Sequence, residues 1–575
     1  MRRTSVFALL SLFALALAAA SVADAWRPDV VVVGCGTSGS LLAARLSANL
    51  RVRVLLLCSG HEADYRPGDP EFFNWWTVTN TSPRFVADNP VNRPQLSNEV
   101  SGWLANVRQY GPECPYPGGC SGTNGQAWGV NADNFWDEVA AYAGDERWSG
   151  ARMRELRKPY EAYRGTGDAA CHGTAPTTDG RVALVAFAPE PTQIAFKNAM
   201  ADLLGIPVLN DTACTHSNEG VGHTVRNIDV RDDGTFVRQN TYMKLVAPVA
   251  AARHNLRVEF GATAIGLTYK RHSVGLNCGA SPAPSAAPLR VECVTYLDAA
   301  GDLQQACPRD EVLLAMGTLG TAKFLLLNGI GDRAELAAVG VACARHAPNV
   351  GRHIKNQVTL VTVFTGPPQP RHPTTGVMGH YFSPAARARN DTLPDMMLAV
   401  GQIHENLGGV AYTLVVAGLE RPRDEGSMRL QSAHRAMEPL IRYNIGLEYP
   451  EDLDTLAGNV ITMREVMAKV GDAGYPMTEG AGTAQYPTRA AVLNAIRTTT
   501  LASTNWHYTD SVRMGRVGDT TSATDSEGHI WGVEGVRVCD NSGTPLQHSA
   551  HASASGARDV AAVIAEMIAD EFGYY

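Results

Sequence analysis

A glycine turn between two apolar runs constrains this chain more than any other stretch. Asp29 and four valines lead into Gly34-Cys35-Gly36-Thr37-Ser38-Gly39, followed by an Ala/Leu-rich run and then Val52-Arg-Val-Leu-Leu-Leu57. A short apolar run ending in glycine reads as a buried strand. From Thr37 to Asn49, Leu42 and Leu46 fall one turn apart on one helical face. Strand, tight turn, helix and strand make the βαβ unit of a dinucleotide-binding fold. Gly34 permits the turn, Gly36 lets a pyrophosphate approach the backbone, and Gly39 lets helix and strand pack closely. The helix N-terminus then offers N–H groups and a partial positive charge to phosphate.

The chain has 575 residues, 45% of them hydrophobic, which is enough for two or more cores. Its formal charge of −8 and the lack of a basic cluster exclude nucleic acid as a partner. Met1-Arg2-Arg3, the apolar run Val6 to Ala20 and Ala23-Asp24-Ala25 read as a signal peptide over residues 1–25. The apolar run falls short of the roughly 20 residues of a spanning helix. An exported protein results, secreted or periplasmic, with no stable membrane span. Export permits disulfides among the eleven cysteines. Cys278, Cys293 and Cys307 form one candidate group, and Cys171 with Cys214 another. The odd total leaves one free thiol or an intermolecular link, and Cys35 reads as a small buried residue. Asn80, Asn210 and Asn390 head glycosylation acceptors.

Further along, His61 to Arg108 reads as a surface excursion or lid. The loop Gly118-Gly119-Cys-Ser-Gly-Thr123-Asn124-Gly125 suits a backbone wrapped around a flat ligand. Asn134 to Tyr163 reads as helical. Glu311 to Gly317 is a second strand–glycine–helix unit returning to the first sheet. Leu360 to about Val416 alternates as an antiparallel sheet does. Asp452 to Lys469 and Ser553 to Asp570 read as helices. His507 stands in Asn505-Trp-His-Tyr508, and His548 and His551 follow the strand-like Val536 to Cys539 and Asp540. No His/Cys/carboxylate spacing around these histidines suits a metal.

Taken in order, these motifs resemble the glucose-methanol-choline flavoprotein oxidoreductases. The resemblance rests on the Gly34–Gly39 turn, the Gly118–Asn124 loop, Gly317-Thr-Leu-Gly320 through Gly331, and Asn349-Val-Gly-Arg352. It continues in His507 with Arg513-Met-Gly515, and in Gly535 to Pro545 with His551. It implies an α/β fold: a discontinuous, Rossmann-like FAD-binding domain (26–160, 235–345 and 500–575) and a substrate-binding domain (161–234 and 346–499) built on an antiparallel sheet covered by helices. It implies noncovalent FAD, because Thr123 stands where some members attach the flavin through histidine. The implied cofactor contacts are Gly34, Gly36, Thr37, Ser38, Gly39, Gly119, Thr123, Asn124, Gly125, Ala264, Asp540 and Ala552.

The implied reaction is oxidation of a small alcohol. His507 takes the hydroxyl proton and His551 hydrogen-bonds the same oxygen. Hydride goes to flavin N5, and oxygen or another acceptor takes the electrons. His548 lies outside the matching position and reads as a surface or packing residue. The same scaffold also admits a hydroxynitrile lyase or a non-catalytic flavoprotein. Three residues depart from the family pattern. Cys58 stands where an acidic residue bonds the ribose, Glu113 where an arginine precedes the glycine loop, and Asp510 three positions after His507, close enough to raise that histidine's pKa.

Overall fold

The computed structural model describes residues 26–61, 93–96, 110–114, 117–122, 124–165, 171–173, 180–186, 190–230, 236–270, 278, 288–367, 376–407, 410–499, 501–550 and 552–575. Thr123, His551, Asn80, the 1–25 segment and most of the expected lid lie outside them. Of that lid, Arg93–Leu96 pairs antiparallel with Tyr110–Glu113, opposing Arg93 to Glu113.

The valine run forms the strand Val30–Val33 at the middle of a five-stranded parallel sheet. The order is Leu256–Glu259, Val54–Leu57, Val30–Val33, Glu311–Leu314, Val536–Val538. Both faces are covered, which is why the central strands Val30–Val33 and Val54–Leu57 are continuously apolar and buried. Val31, Val33, Leu55, Leu57, Val312 and Leu314 pack into one core. Val30, Val32, Val54, Leu56 and Leu313 pack into the other, beneath helices Thr37–Leu46 and Ser553–Phe572. The second strand–glycine–helix unit does return to this sheet, as Val30–Val33 pairs in parallel with Glu311–Leu314.

A mainly antiparallel sheet, eight-stranded among the described residues, is centred on Val358–Gly366, Val410–Leu419, Met396–Leu407 and Val377–Tyr381. Helices Glu451–Asp472 and Pro191–Leu204 cover one face. There Leu456, Val460, Met463 and Met200 join Val358, Leu360, Val415 and Ala417 in the main core. Asn459 reaches from the long helix to the carbonyls of Met397 and Gly418, so the helix is also pinned by hydrogen bonds.

Several expectations need correcting. Asn134 to Tyr163 is not one helix. Asp133–Ala143 ends on Gly144 at φ +68°, a left-handed cap, and Gly150–Arg157 follows before the strand Glu161–Arg164. Cys35 is not a lone small residue: it is bonded to Cys58. The parallel neighbours Val30–Val33 and Val54–Leu57 bring their following residues side by side, with Cα atoms 5.0 Å apart. Cys171–Cys214 and Cys293–Cys307 pair within the expected groups, but Cys278 pairs outside its group, with Cys343. Cys114–Cys120 is a fifth bond, and Cys539 is a buried thiol. Five disulfides fit an oxidising compartment. Among the described residues, no helix is long and apolar enough to cross a membrane.

Candidate active site

The glycine turn has the shape its sequence demands. Gly34 has φ +102°, and a Cβ there would lie 2.5 Å from the Ala315 carbonyl oxygen. A Cβ on Gly39 would lie 1.8 Å from the Gly34 oxygen, so only glycine lets helix and strand approach this closely. No side chain caps the helix that starts at Thr37, which leaves its first N–H groups to another acceptor. Ser38 turns its hydroxyl to the Ala557 carbonyl at 2.8 Å, tying this helix to the C-terminal one.

The second glycine loop docks on the first. The Gly118 N–H donates to the Cys35 carbonyl at 2.8 Å, and Gly119 lies directly against Gly36. A segment that the sequence reading missed braces this loop. Arg238 donates to the Gly122 carbonyl, Asn240 to the Pro117 carbonyl, and the Thr241 N–H to the Ser121 hydroxyl. Asn124 accepts from Gln126, and the Gly125 carbonyl accepts from Arg226. Ala264 lies opposite Tyr296 in the strand Thr263–Tyr269, just past the turn where the Ala262 N–H meets the Cys58 carbonyl. Cys58 therefore offers no ribose acceptor; its sulfur is spent on Cys35.

Asp540 is a pin. Its buried carboxylate accepts from the Gly317 N–H, the Thr321 hydroxyl, and the Ser542 N–H and hydroxyl, all within 2.6 to 2.9 Å. It thereby locks the ends of two strands and opens the segment leading to Ala552, where the C-terminal helix begins. Along that segment, Asn541 Oδ1, Thr544 Oγ1, Gln547 Oε1 and His548 Nε2 are buried without a hydrogen-bond partner, as is Asn356 Nδ2 nearby. Each unsatisfied group costs about 1–3 kcal/mol. Such a run of orphans beside two glycine cradles fits a polar, elongated ligand such as FAD.

His507 sits at the end of the antiparallel sheet. Its N–H donates to Asn356 Oδ1 at 3.1 Å, and its carbonyl accepts from Gln547 at 2.9 Å. Its ring Nδ1 lies 2.6 Å from Gln357 Oε1. The Gln357 amide cannot turn round, because its nitrogen donates to the His548 carbonyl at 2.8 Å. An amide oxygen only accepts, so Nδ1 carries the proton and the lone pair of the neutral ring is on Nε2. The helix at Thr318 fixes the flanks: Thr318 donates to the Tyr508 carbonyl, and Ser511 donates to the Thr318 carbonyl. Gln357 stands 150 residues from His507; two consecutive amides before an apolar strand were its only trace in the sequence.

Asp510 is paired with Arg513. It is fully buried at φ +75°, and its carboxylate is clamped by Arg513, whose Nε lies 2.8 Å away. Arg513 also binds Glu425, which in turn holds Lys355 and His353. Burial pushes the Asp510 carboxyl up to about 6, opposed by the Arg513 guanidinium. His548 is a packing residue. It is buried against Phe135 and Gly556, it accepts from Asn131 at 2.8 Å, and burial pushes its pKa down to about 3.

Two glycine cradles on a parallel sheet, with an oriented imidazole at the edge of a second sheet, define a dinucleotide-dependent oxidoreductase. The comparisons narrow this class. A family model for GMC oxidoreductases matches residues 422–557. Choline oxidase of Arthrobacter globiformis is 26% identical, over 90% of each chain. The 5-(hydroxymethyl)furfural oxidase of a Methylovorus species is 24% identical, over 94% of this chain and 98% of that one. The crystal structure of pyridoxine 4-oxidase from "Mesorbium loti" superposes with a TM-score of 0.76 at 21% identity, covering 94% of this chain and 99% of that one. Residues 422–557 thus match the GMC oxidoreductase family, and the chain is similar over nearly its whole length to the oxidases named above, a likeness that supports FAD as its cofactor.

Proposed function

We propose that this flavoprotein oxidises an alcohol to the carbonyl compound, with His507 as the general base. The clamp of Gln357 on His507 Nδ1 carries the reading, because it puts the basic lone pair on Nε2. The Thr37 helix start, the Gly119 loop and the 541–548 segment would hold FAD, with Gly125, Ala264 and Ala552 around them. When bound, FAD supplies the hydride acceptor. The alcohol O–H proton passes to Nε2 while the carbon gives up hydride and the C=O bond forms. Proton removal by a positioned base contributes roughly 10²–10⁴ in rate. His551 is assigned the second hydrogen bond to the substrate oxygen. Choline and 5-(hydroxymethyl)furfural, named as substrates of the relatives, are both alcohols.

The cofactor is held noncovalently, and oxygen or another acceptor reoxidises it. The FAD-binding portion comprises 26–160, 235–345 and 500–575; the substrate-binding portion comprises 161–234 and 346–499. The protein is exported after loss of residues 1–25, in keeping with its five disulfides. Asn210 and Asn390 are exposed and carry glycan in a eukaryotic host.

The test is anaerobic. The holoprotein is mixed with a panel of primary, secondary and aromatic alcohols, and flavin absorbance is followed. Bleaching supports oxidation. Cyanide release from mandelonitrile without bleaching would replace oxidation with lyase chemistry, and neither response would remove catalysis altogether.

A further inference from the structure

We infer that the substrate is an uncharged, apolar alcohol, selected by the sheet face beside His507. The inference rests on the alcohol-oxidising reading above. Side chains alternate along a strand, so Gln357, Thr359 and Val361 share one face, opposite the helices. The cross-strand register extends that face sideways. Thr359 lies opposite Gly418, Gly418 opposite Met397, and Met397 opposite His380. In the next row Val361 lies opposite Val416, then Ala399, then Met378. Met378, Met397 and Ala399, all buried, form with the partly buried Val416 an apolar cluster of their own, separate from the core under the helices.

The chemistry of the face is consistent. A Cβ on Gly418 would lie 3.0 Å from Met397 Cε and 3.3 Å from Thr359 Cγ2, so the thioether arm lies across the glycine. Thioethers pack well against aromatic rings. Val361 is 39% exposed, and Trp506, the neighbour of His507, is 43% exposed. The Thr359 hydroxyl already donates to Asn505 at 2.8 Å, so a polyol finds no ready partner there.

The carboxylate on the face already has a backbone partner. His380 lies 3.0 Å from Glu420, whose carboxylate also accepts the Ala550 N–H at 2.9 Å, and both side chains are buried. A cationic substrate would lose its hydration with no uncommitted carboxylate to meet it among the described residues of this face.

The holoprotein is tested in two arms. In the first, anaerobic flavin reduction is compared for benzyl alcohol, 1-hexanol, choline and glucose. Benzyl alcohol and hexanol are expected to exceed the other two by about 10²-fold in efficiency, the scale set by an apolar pocket. Val361→Asp should narrow that ratio at least about tenfold, one methyl-sized contact plus an unmatched charge. In the second arm, unreactive benzamide and tetramethylammonium are titrated by calorimetry against wild type. Benzamide should bind and tetramethylammonium should not. Choline or glucose as the best reductant, or tetramethylammonium as the better ligand, overturns the inference. Reduction by none of the four sinks the oxidase reading, while the calorimetry still decides whether the face is apolar.

Discussion

Replacing Gln357 with glutamate makes the sharpest single perturbation of the site. The new carboxylate would sit where an amide oxygen now lies 2.6 Å from His507 Nδ1. An opposite charge at that range raises an imidazole pKa by about 1–3 pH units. The base works only when neutral, so the rising limb of the reduction rate against pH moves up by the same amount. Below that limb the rate drops about tenfold per pH unit. A carboxylate also cannot donate to the His548 carbonyl as the amide does, so about 1–3 kcal/mol of stability goes with the change. Gln357→Leu removes the acceptor without adding charge. It leaves Nδ1 unpaired, and at about 1.4 kcal/mol per tenfold the same 1–3 kcal/mol predicts a rate loss of roughly 10–100-fold with the limb unmoved. The assay is stopped-flow anaerobic reduction from about pH 5 to 10, which brackets the ordinary imidazole range. A limb that stays put in Gln357→Glu, together with an unchanged rate in Gln357→Leu, refutes the orienting role.

Three further outcomes follow from particular contacts. The Cys35–Cys58 bond spans 23 residues across the cofactor cradle, so the double alanine variant should lose about 3 kcal/mol in denaturant titrations and retain FAD less well in dialysis. Equal retention would mean that the bond does not shape the cradle. Burial opposes charge on His172, but hydrogen bonds to Asp211 at 2.8 Å and Glu161 at 3.2 Å outweigh it and hold its pKa up to about 9. A raised folded pKa stabilises fully below the unfolded value near 6.5 and is lost as pH rises through 9. Wild-type melting temperature should therefore fall across that window, and His172→Gln should flatten the fall. Acid precipitation should leave the flavin in the supernatant; flavin retained in the pellet would contradict noncovalent binding at the Thr123 loop.

Much of the fold was legible because its signals are local. Val30–Val33 ends in a glycine that must turn, and Glu311–Leu314 repeats the pattern, so both strands and the helices after them could be placed without tertiary information. Alternation gave the antiparallel sheet for the same reason. Adjacency between distant segments was not legible. Cys35 and Cys58 meet only because two parallel strands run in register, and nothing near either cysteine announces it. Asp510 looked threatening in sequence because spacing alone does not reveal its pairing with Arg513. Its carboxylate, at a residue of positive φ, accepts from Arg513 Nε. Gln357 and the face beyond it depend on cross-strand register, which a single strand does not encode.

The most direct measurement is the single-turnover rate of flavin reduction in wild type and His507→Ala, at matched FAD occupancy and saturating alcohol. Loss of the base predicts a fall of roughly 10²–10⁴-fold with the flavin spectrum of the resting protein unchanged. Reduction at the wild-type rate in the alanine variant would contradict the account at its centre.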